Sequence, residues 1–325
     1  MCLLFLSCIV QTSIAVEPQQ PNVLFIIADD ASVHFGEACH TVRRDMLDYA
    51  TEVEAFDVQV GSLLAALDAS GLANNTLVIV TSDHGMPFPR VKGHTFDDAH
   101  HIPFVACWPD GIVRPGRRVA DFINFIDLAP TFLEMFAIDG NASGMATISG
   151  HSFTDLLRDE PGTQRPFVIF GRERNDVLAR PGSAHGLGYP VRAMRQGNFL
   201  FVRSFEPDRW PCGNPELGLK DTDDSPTKRL IEESGDSSPY WQHAFGKRPA
   251  EQLFDLSADP DCVTNLASDV KYSEKVAAMN TTLVAELGRQ NDPRIVDRGA
   301  VFDEYLSPRA VPEANKPKKN GKKAK

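Results

Sequence analysis

The sequence is poor in the features that mark a membrane protein or a nucleic-acid binder. Its apolar N-terminal segment, Met1 to Ala15, stops short of the roughly 20 residues that span a bilayer, and no later segment is apolar enough to cross one. Basic charge is scarce. The net charge is −11, residues 311–325 contribute +5 through six lysines against Glu313, and the remainder therefore carries −16. An acidic body of that kind argues against nucleic acid as the main partner. Cysteine is sparse and unpatterned: Cys2 and Cys8 fall in the N-terminal segment, and Cys39, Cys107, Cys212 and Cys262 show no metal-type spacing. No internal repeat is visible.

What is present is ample apolar material, 42% of 325 residues, enough for one large domain or two smaller ones. Met1 to Ala15 ends Ser13-Ile14-Ala15, a small-x-small pattern of a secretory leader, although the usual positive residues at its start are missing. The expectation is a secreted or periplasmic protein, with no transmembrane segment in the mature chain. The closing KPKKNGKKAK reads as a solvated, disordered basic tail over residues 309–325.

Between these ends the chain is organised around Thr76 to Lys92, TLVIVTSDHGMPFPRVK. The uncharged β-branched and aliphatic run Thr76–Thr81 is the pattern of a strand buried on both faces, as in a helix-covered parallel sheet. It stops at Ser82-Asp83-His84-Gly85, so an acid and an imidazole emerge at the strand's carboxyl end, where open α/β sheets gather their ligands. The turn that follows brings Arg90 and Lys92 back toward the same mouth. An earlier run, PNVLFIIADD from Pro21, ends in the adjacent carboxylates Asp29 and Asp30. Like charges side by side are best tolerated around a cation. Asp29, Asp30, Asp83 and His84 therefore form one candidate metal site. Its carboxylates suit calcium or magnesium, and its histidine leaves manganese or zinc open.

PNVLFIIADD followed by NTLVIVTSDHG resembles the two metal-binding strands of the sulfatases, in the alkaline-phosphatase-like superfamily. Further motifs fall in that family's order: His101-Ile102-Pro103-Phe104-Val105, Trp108-Pro109-Asp110-Gly111, Asp127-Leu128-Ala129-Pro130-Thr131 and Glu251-Gln252-Leu253-Phe254-Asp255-Leu256. The Gly85-Met86-Pro87-Phe88-Pro89 turn is most similar to the sulfamidase, heparan N-sulfatase-like branch. The resemblance implies an α/β fold: a reduced parallel sheet sandwiched by helices over residues 21–160, then a small antiparallel sheet with a helix over 165–295. It also implies calcium at Asp29, Asp30, Asp83 and His84, with Lys92 binding the sulfate group of a sulfated carbohydrate or other sulfate ester.

One family feature is absent. Sulfatases use a cysteine, oxidised to formylglycine, within Cys-x-Pro-Ser-Arg or Cys-x-Ala-Ser-Arg, and neither string occurs here. The nearest, Cys39-His40-Thr41-Val42-Arg43, keeps only the cysteine and arginine, so Cys39 is a weak candidate and formylglycine is not expected. Only 52 residues separate Asp30 from Asp83, and the family's nucleophile-bearing block looks deleted. The resemblance implies hydrolysis of sulfate esters or N-sulfates, with turnover by this chain in doubt. The alternatives are an inactive relative that binds metal and sulfated glycan, or a phosphodiesterase or phosphatase of the same superfamily.

Elsewhere, Met46, Tyr49, Val53, Phe56, Val60, Leu64 and Leu67 recur at helical spacing and predict one amphipathic helix over residues 43–70 packed on the sheet. His34 and His40 read as surface-loop histidines. The ligand-rich stretch from Gly93 to His101 reads as a loop lining the substrate cleft. Ile102–Trp108 predicts another buried strand, Asp121–Met135 a short strand and a helix, and residues 271–290 a last helix. Arg192–Val202 predicts a hairpin around Gly197-Asn198. The loop Glu206–Pro211 is open to either a sugar contact or a structural role.

Overall fold

The computed structural model describes residues 20–29, 40–142, 144–173, 188–219, 221–299 and 301–302. Two sheets organise them. The first has three strands, β1 (Asn22–Ala28), β2 (Thr76–Ser82) and β3 (Phe104–Cys107), in that order. β1 and β2 run parallel in a register that sets Asn22 against Thr76 and Ala28 against Ser82. Side-chain amides fasten the start of the pair, Asn22 Nδ2 donating to Asn75 O at 3.3 Å and Asn75 Nδ2 to Gln20 O at 3.0 Å. β2 is the central strand and the most buried, with Leu77 and Ile79 wholly enclosed.

The sheet is mixed rather than purely parallel, because β3 runs antiparallel to β2. β3 is also shorter and less buried than the sequence predicts. Its residues alternate between half-buried and exposed, with Val105 60% exposed, as on an edge strand with one solvated face. No strand forms over Asp121–Asn124. The chain there passes by a single turn into α3 (Leu128–Met135), whose Thr131 hydroxyl donates back to Asp127 O at 2.6 Å.

The helix α1 (His40–Ala69) opens three residues before its predicted start and takes in His40 as its first residue. Its predicted role as sheet-covering core is not met: none of its residues is buried. Met46 and Tyr49 pack against Met86, Phe88, Val91 and Ala99, and Asp45 Oδ2 accepts from Thr227 N at 2.9 Å. Beyond that first part, Leu63 and Leu64 stay 47% and 40% exposed. Three strands offer too narrow a surface to cover a 30-residue helix along its length.

The second sheet is antiparallel, β4 (Val168–Arg172), β5 (Val191–Gln196), β6 (Phe199–Ser204) and β7 (Glu251–Asp255), in sequence order. The predicted hairpin is β5–β6. Gln196 pairs Phe199 across a two-residue turn, in which Gly197 takes φ +56°. The predicted last helix is α4 (Ser273–Arg289). Its stripe Val276, Met279, Leu283 and Leu287 packs on Met194, Phe201 and Leu253. Each such side chain contributes roughly 1.5–3 kcal/mol by leaving water. Trp210, in the loop Glu206–Pro211, packs in a separate cluster with Trp241 and Phe245, at 6.0 Å from the Trp241 ring.

The stretch Gly85–His101 joins the two sheets. Arg90, with φ +75°, turns away from the mouth: its guanidinium donates to the carbonyls of His243, Asp261 and Cys262 and stacks over Phe96 at 4.6 Å. A side chain at Gly85 has no room, since a Cβ there would lie 2.0 Å from Asp98 O. α2 (Asp97–His100) therefore sits directly on the turn that follows β2.

Candidate metal centre

The parallel register delivers the first two groups. Because Ala28 lies opposite Ser82, the next residues, Asp29 and Asp83, leave adjacent strands side by side at the same end. Asp83 N donates to Ala28 O at 3.3 Å, and Ser82 Oγ lies 3.0 Å from Ala28 O and 2.8 Å from His84 O, which pins the departure of the chain. One ligand atom each from Asp29, Asp83 and His84 lies within 4.8 Å of the others.

The local bonds also set the histidine. His84 Nδ1 is 2.9 Å from Gly85 O, a carbonyl that can only accept, so Nδ1 carries the proton. The other ring nitrogen, Nε2, faces Asp83 Oδ2 at 3.3 Å. A backbone carbonyl on one ring nitrogen with the other turned toward carboxylates is the orientation that metal-bound histidines adopt. Asp83 Oδ1 accepts from His84 N at 2.9 Å and leaves Oδ2 toward the cluster. Two partly exposed carboxylates and one oriented imidazole fit a divalent ion. Asp30, the fourth predicted ligand, lies outside the described residues.

The other predicted groups divide. Lys92 Nζ forms an ion pair with Asp223 Oδ2 at 2.7 Å, a partner 131 residues away that no local pattern announces. Of the described histidines after Lys92, none joins the three-residue cluster. His94 is buried, with Nε2 2.8 Å from Ala244 O and 2.9 Å from Cys212 Sγ, and stacks on Phe96. Burial, with Arg248 nearby, drives its pKa well below the ordinary value. His100 stacks on Phe170 at 4.3 Å, and burial pushes it down to about 4, with Arg172 and His84 adding to the shift. His101 Nδ1 is 3.1 Å from Asp97 Oδ2, and Asp97 Oδ1 accepts from Arg195 at 2.7 Å. Burial raises the Asp97 pKa, but the bonds from His101 and Arg195 outweigh it and hold the group ionised. His100 and Asp97 thereby join this stretch to Phe170 and Arg195 of the second sheet, and His94 joins it to Ala244 and Cys212.

None of the buried cysteines offers a nucleophile. Burial pushes the Cys212 thiol up to about 11 and the Cys262 thiol up to about 12, far from the thiolate form at neutral pH. Cys39 lies outside the described residues, as does the N-terminal segment 1–15.

The family model for sulfatases matches residues 28–138, a span that holds Asp29, Asp83, His84 and Lys92. That stretch is similar to the sulfatases. The chain is 27% identical to human N-sulphoglucosamine sulphohydrolase over 287 residues, covering 84% of this chain and 53% of that protein. Among solved structures it is similar to one in complex with its substrate D-glucosamine-2-N,6-O-disulfate, with TM-score 0.50, 18% identity, and 75% of this chain and 41% of that one covered. It is also similar to the phosphonate monoester hydrolase of Agrobacterium radiobacter, with TM-score 0.51, 21% identity, and 72% and 39% covered. The two structural likenesses establish the fold. The chain spans about half the length, or less, of these relatives. Among the described residues no helix is long and apolar enough to cross a membrane.

Proposed function

We propose that the chain is a calcium-binding sulfatase relative that recognises sulfate esters or N-sulfate groups on sulfated sugars outside the cytoplasm, and that it binds them without turnover. The observation that carries the metal reading is the convergence of Asp29, Asp83 and His84 at neighbouring carboxyl ends of β1 and β2. Asp30 is the fourth ligand by resemblance. Two or three carboxylates favour a hard cation, and calcium tolerates the irregular geometry that strand ends provide. Lys92 supplies the positive charge for the sulfate group. The relative acting on N-sulphoglucosamine and the neighbour bound to a glucosamine disulfate support a sulfated amino sugar as the substrate class. Turnover requires a nucleophile, and the chain lacks the Cys-x-Pro-Ser-Arg segment. Metal and lysine that hold ground state and transition state alike do not lower the barrier.

Thermal unfolding with and without millimolar calcium tests the centre. A ligand that binds only the folded state raises the midpoint by mass action. The midpoint should rise in the parent and stay unchanged in Asp83→Ala, while no rise in the parent would count against the site. Expression with a formylglycine-generating enzyme, followed by aryl sulfate and aryl phosphate assays, tests the rest. Background rates on both are expected. Aryl sulfate turnover that Cys39→Ala removes would show an active enzyme, and aryl phosphate turnover would favour a phosphatase.

A further inference from the structure

The ion pair between Lys92 and Asp223 places a carboxylate at the residue assigned to sulfate binding. This carboxylate is not on a drifting loop. The chain from Cys212 to Leu219 and from Asp221 to Asp224 is gathered around the buried ammonium of Lys228, which donates to Gly218 O at 3.0 Å, Leu219 O at 3.0 Å and Thr222 O at 2.9 Å. Asp221 N donates to Cys212 O at 3.2 Å, and Thr222 is buried. The loop lies flush on the Lys92 turn. A Cβ at Gly93 would sit 3.1 Å from Asp221 O and 3.0 Å from Arg172 Nη1. Asp224, next along, is committed to Arg229 at 3.0 Å. Asp223 alone of these acids is directed at Lys92, and at 52% exposure it stays open to a ligand.

A carboxylate beside a sulfate-binding lysine works against a bare anion. The incoming oxygens must share the ammonium with Asp223 and bear its charge at close range. The exposed carboxylate of Asp223 can also accept from a ligand that carries an N–H or O–H on or next to its sulfated atom. N-sulfates and sulfate esters with a vicinal hydroxyl bring such a donor; inorganic sulfate and aryl sulfates do not. We propose that Asp223 is a specificity-determining residue, which sets the Lys92 subsite against bare sulfate and in favour of sulfates with an adjacent hydrogen-bond donor. Discrimination by an introduced repulsion, relieved only by the right ligand, is a common route to specificity. The assignment rests on Lys92 binding the sulfate group.

Calorimetry on the full chain with calcium tests it, using inorganic sulfate, 4-nitrophenyl sulfate and glucosamine N-sulfate as probes. Asp223→Asn keeps the shape and removes the charge, and Asp223→Ala removes the acceptor as well. Both should tighten inorganic and aryl sulfate by about two- to fivefold, the scale of a solvent-exposed ion pair. Glucosamine N-sulfate should gain nothing in Asp223→Asn and weaken in Asp223→Ala, so that its preference over inorganic sulfate falls in both. An unchanged preference in both variants, with sulfate binding lost in Lys92→Ala, would overturn the role of Asp223 alone. Sulfate binding that survives Lys92→Ala would overturn the sulfate reading of Lys92 and this inference with it.

Discussion

An ammonium group buried without a carboxylate is costly unless each of its three donors finds an acceptor, and Lys228 meets that condition with three carbonyls. Replacing it with methionine keeps the volume and strands those carbonyls away from water. Each unsatisfied buried polar group costs about 1–3 kcal/mol, part of which the loop recovers by opening. Lys228→Met should therefore lower stability by about 2–4 kcal/mol, read as a shifted urea midpoint at constant slope. It should also weaken the Lys92–Asp223 pair, because the loop that presents Asp223 is built on Lys228. At this scale the sequence was partly legible. Asp29, Asp83 and His84 could be read because each ends an apolar run, and two strands ending alike imply one mouth. The partners of Lys92 and Arg90 lie 131 to 172 residues away, and nothing in a local pattern encodes a contact of that range.

Among the elements, the contrast between β2 and α1 separates what periodicity can tell from what it cannot. An uncharged, mostly β-branched and aliphatic run is expected to be enclosed on both faces, and β2 is. An amphipathic stripe says only which residues share a face, and leaves open whether anything covers it. The stripe on α1 is half-covered at best, and Leu64 stays 40% exposed. The two elements should respond differently to mutation. Ile79→Ala, at a wholly buried position, is expected to cost about 2–5 kcal/mol through lost transfer energy and the cavity left behind. Leu64→Gln should stay within about 0.5 kcal/mol, because an exposed helical site gains little from a leucine. Urea titrations of the two variants give the comparison, and a large cost for Leu64→Gln would mean that the face is covered in solution. β3 was misjudged for a related reason. Its short apolar sequence suits a strand with two covered faces or with one, and only its place at the sheet edge decides.

At the scale of the whole molecule, the stretch between β2 and the second sheet carries buried histidines. His94 and His100 are both held below their ordinary pKa, His100 at about 4, chiefly by burial. The unfolded chain binds these protons near pH 6.5, and the folded chain does so only at lower pH. Stability is thus fully present above about pH 6.5 and is lost as pH falls toward 4, by up to about 3 kcal/mol for His100. The buried carboxylate Asp97, whose pKa is lowered, adds its own loss only as pH falls below the ordinary carboxylate range. Thermal midpoints between pH 4 and 7 should show the decline, and His100→Gln should flatten it. A parent curve that is flat across this window would mean that water reaches these rings.

The register that sets Ala28 against Ser82 joins strands 54 residues apart, and the ligand atoms come from both. No fragment carrying only one strand holds more than part of the donor set. The centre therefore exists only while β1 lies on β2, and separating them would release any ion it held. A cation held there would act on time as much as on equilibrium, lengthening the life of the folded chain by guarding the one pairing whose rupture dissolves its own binding place.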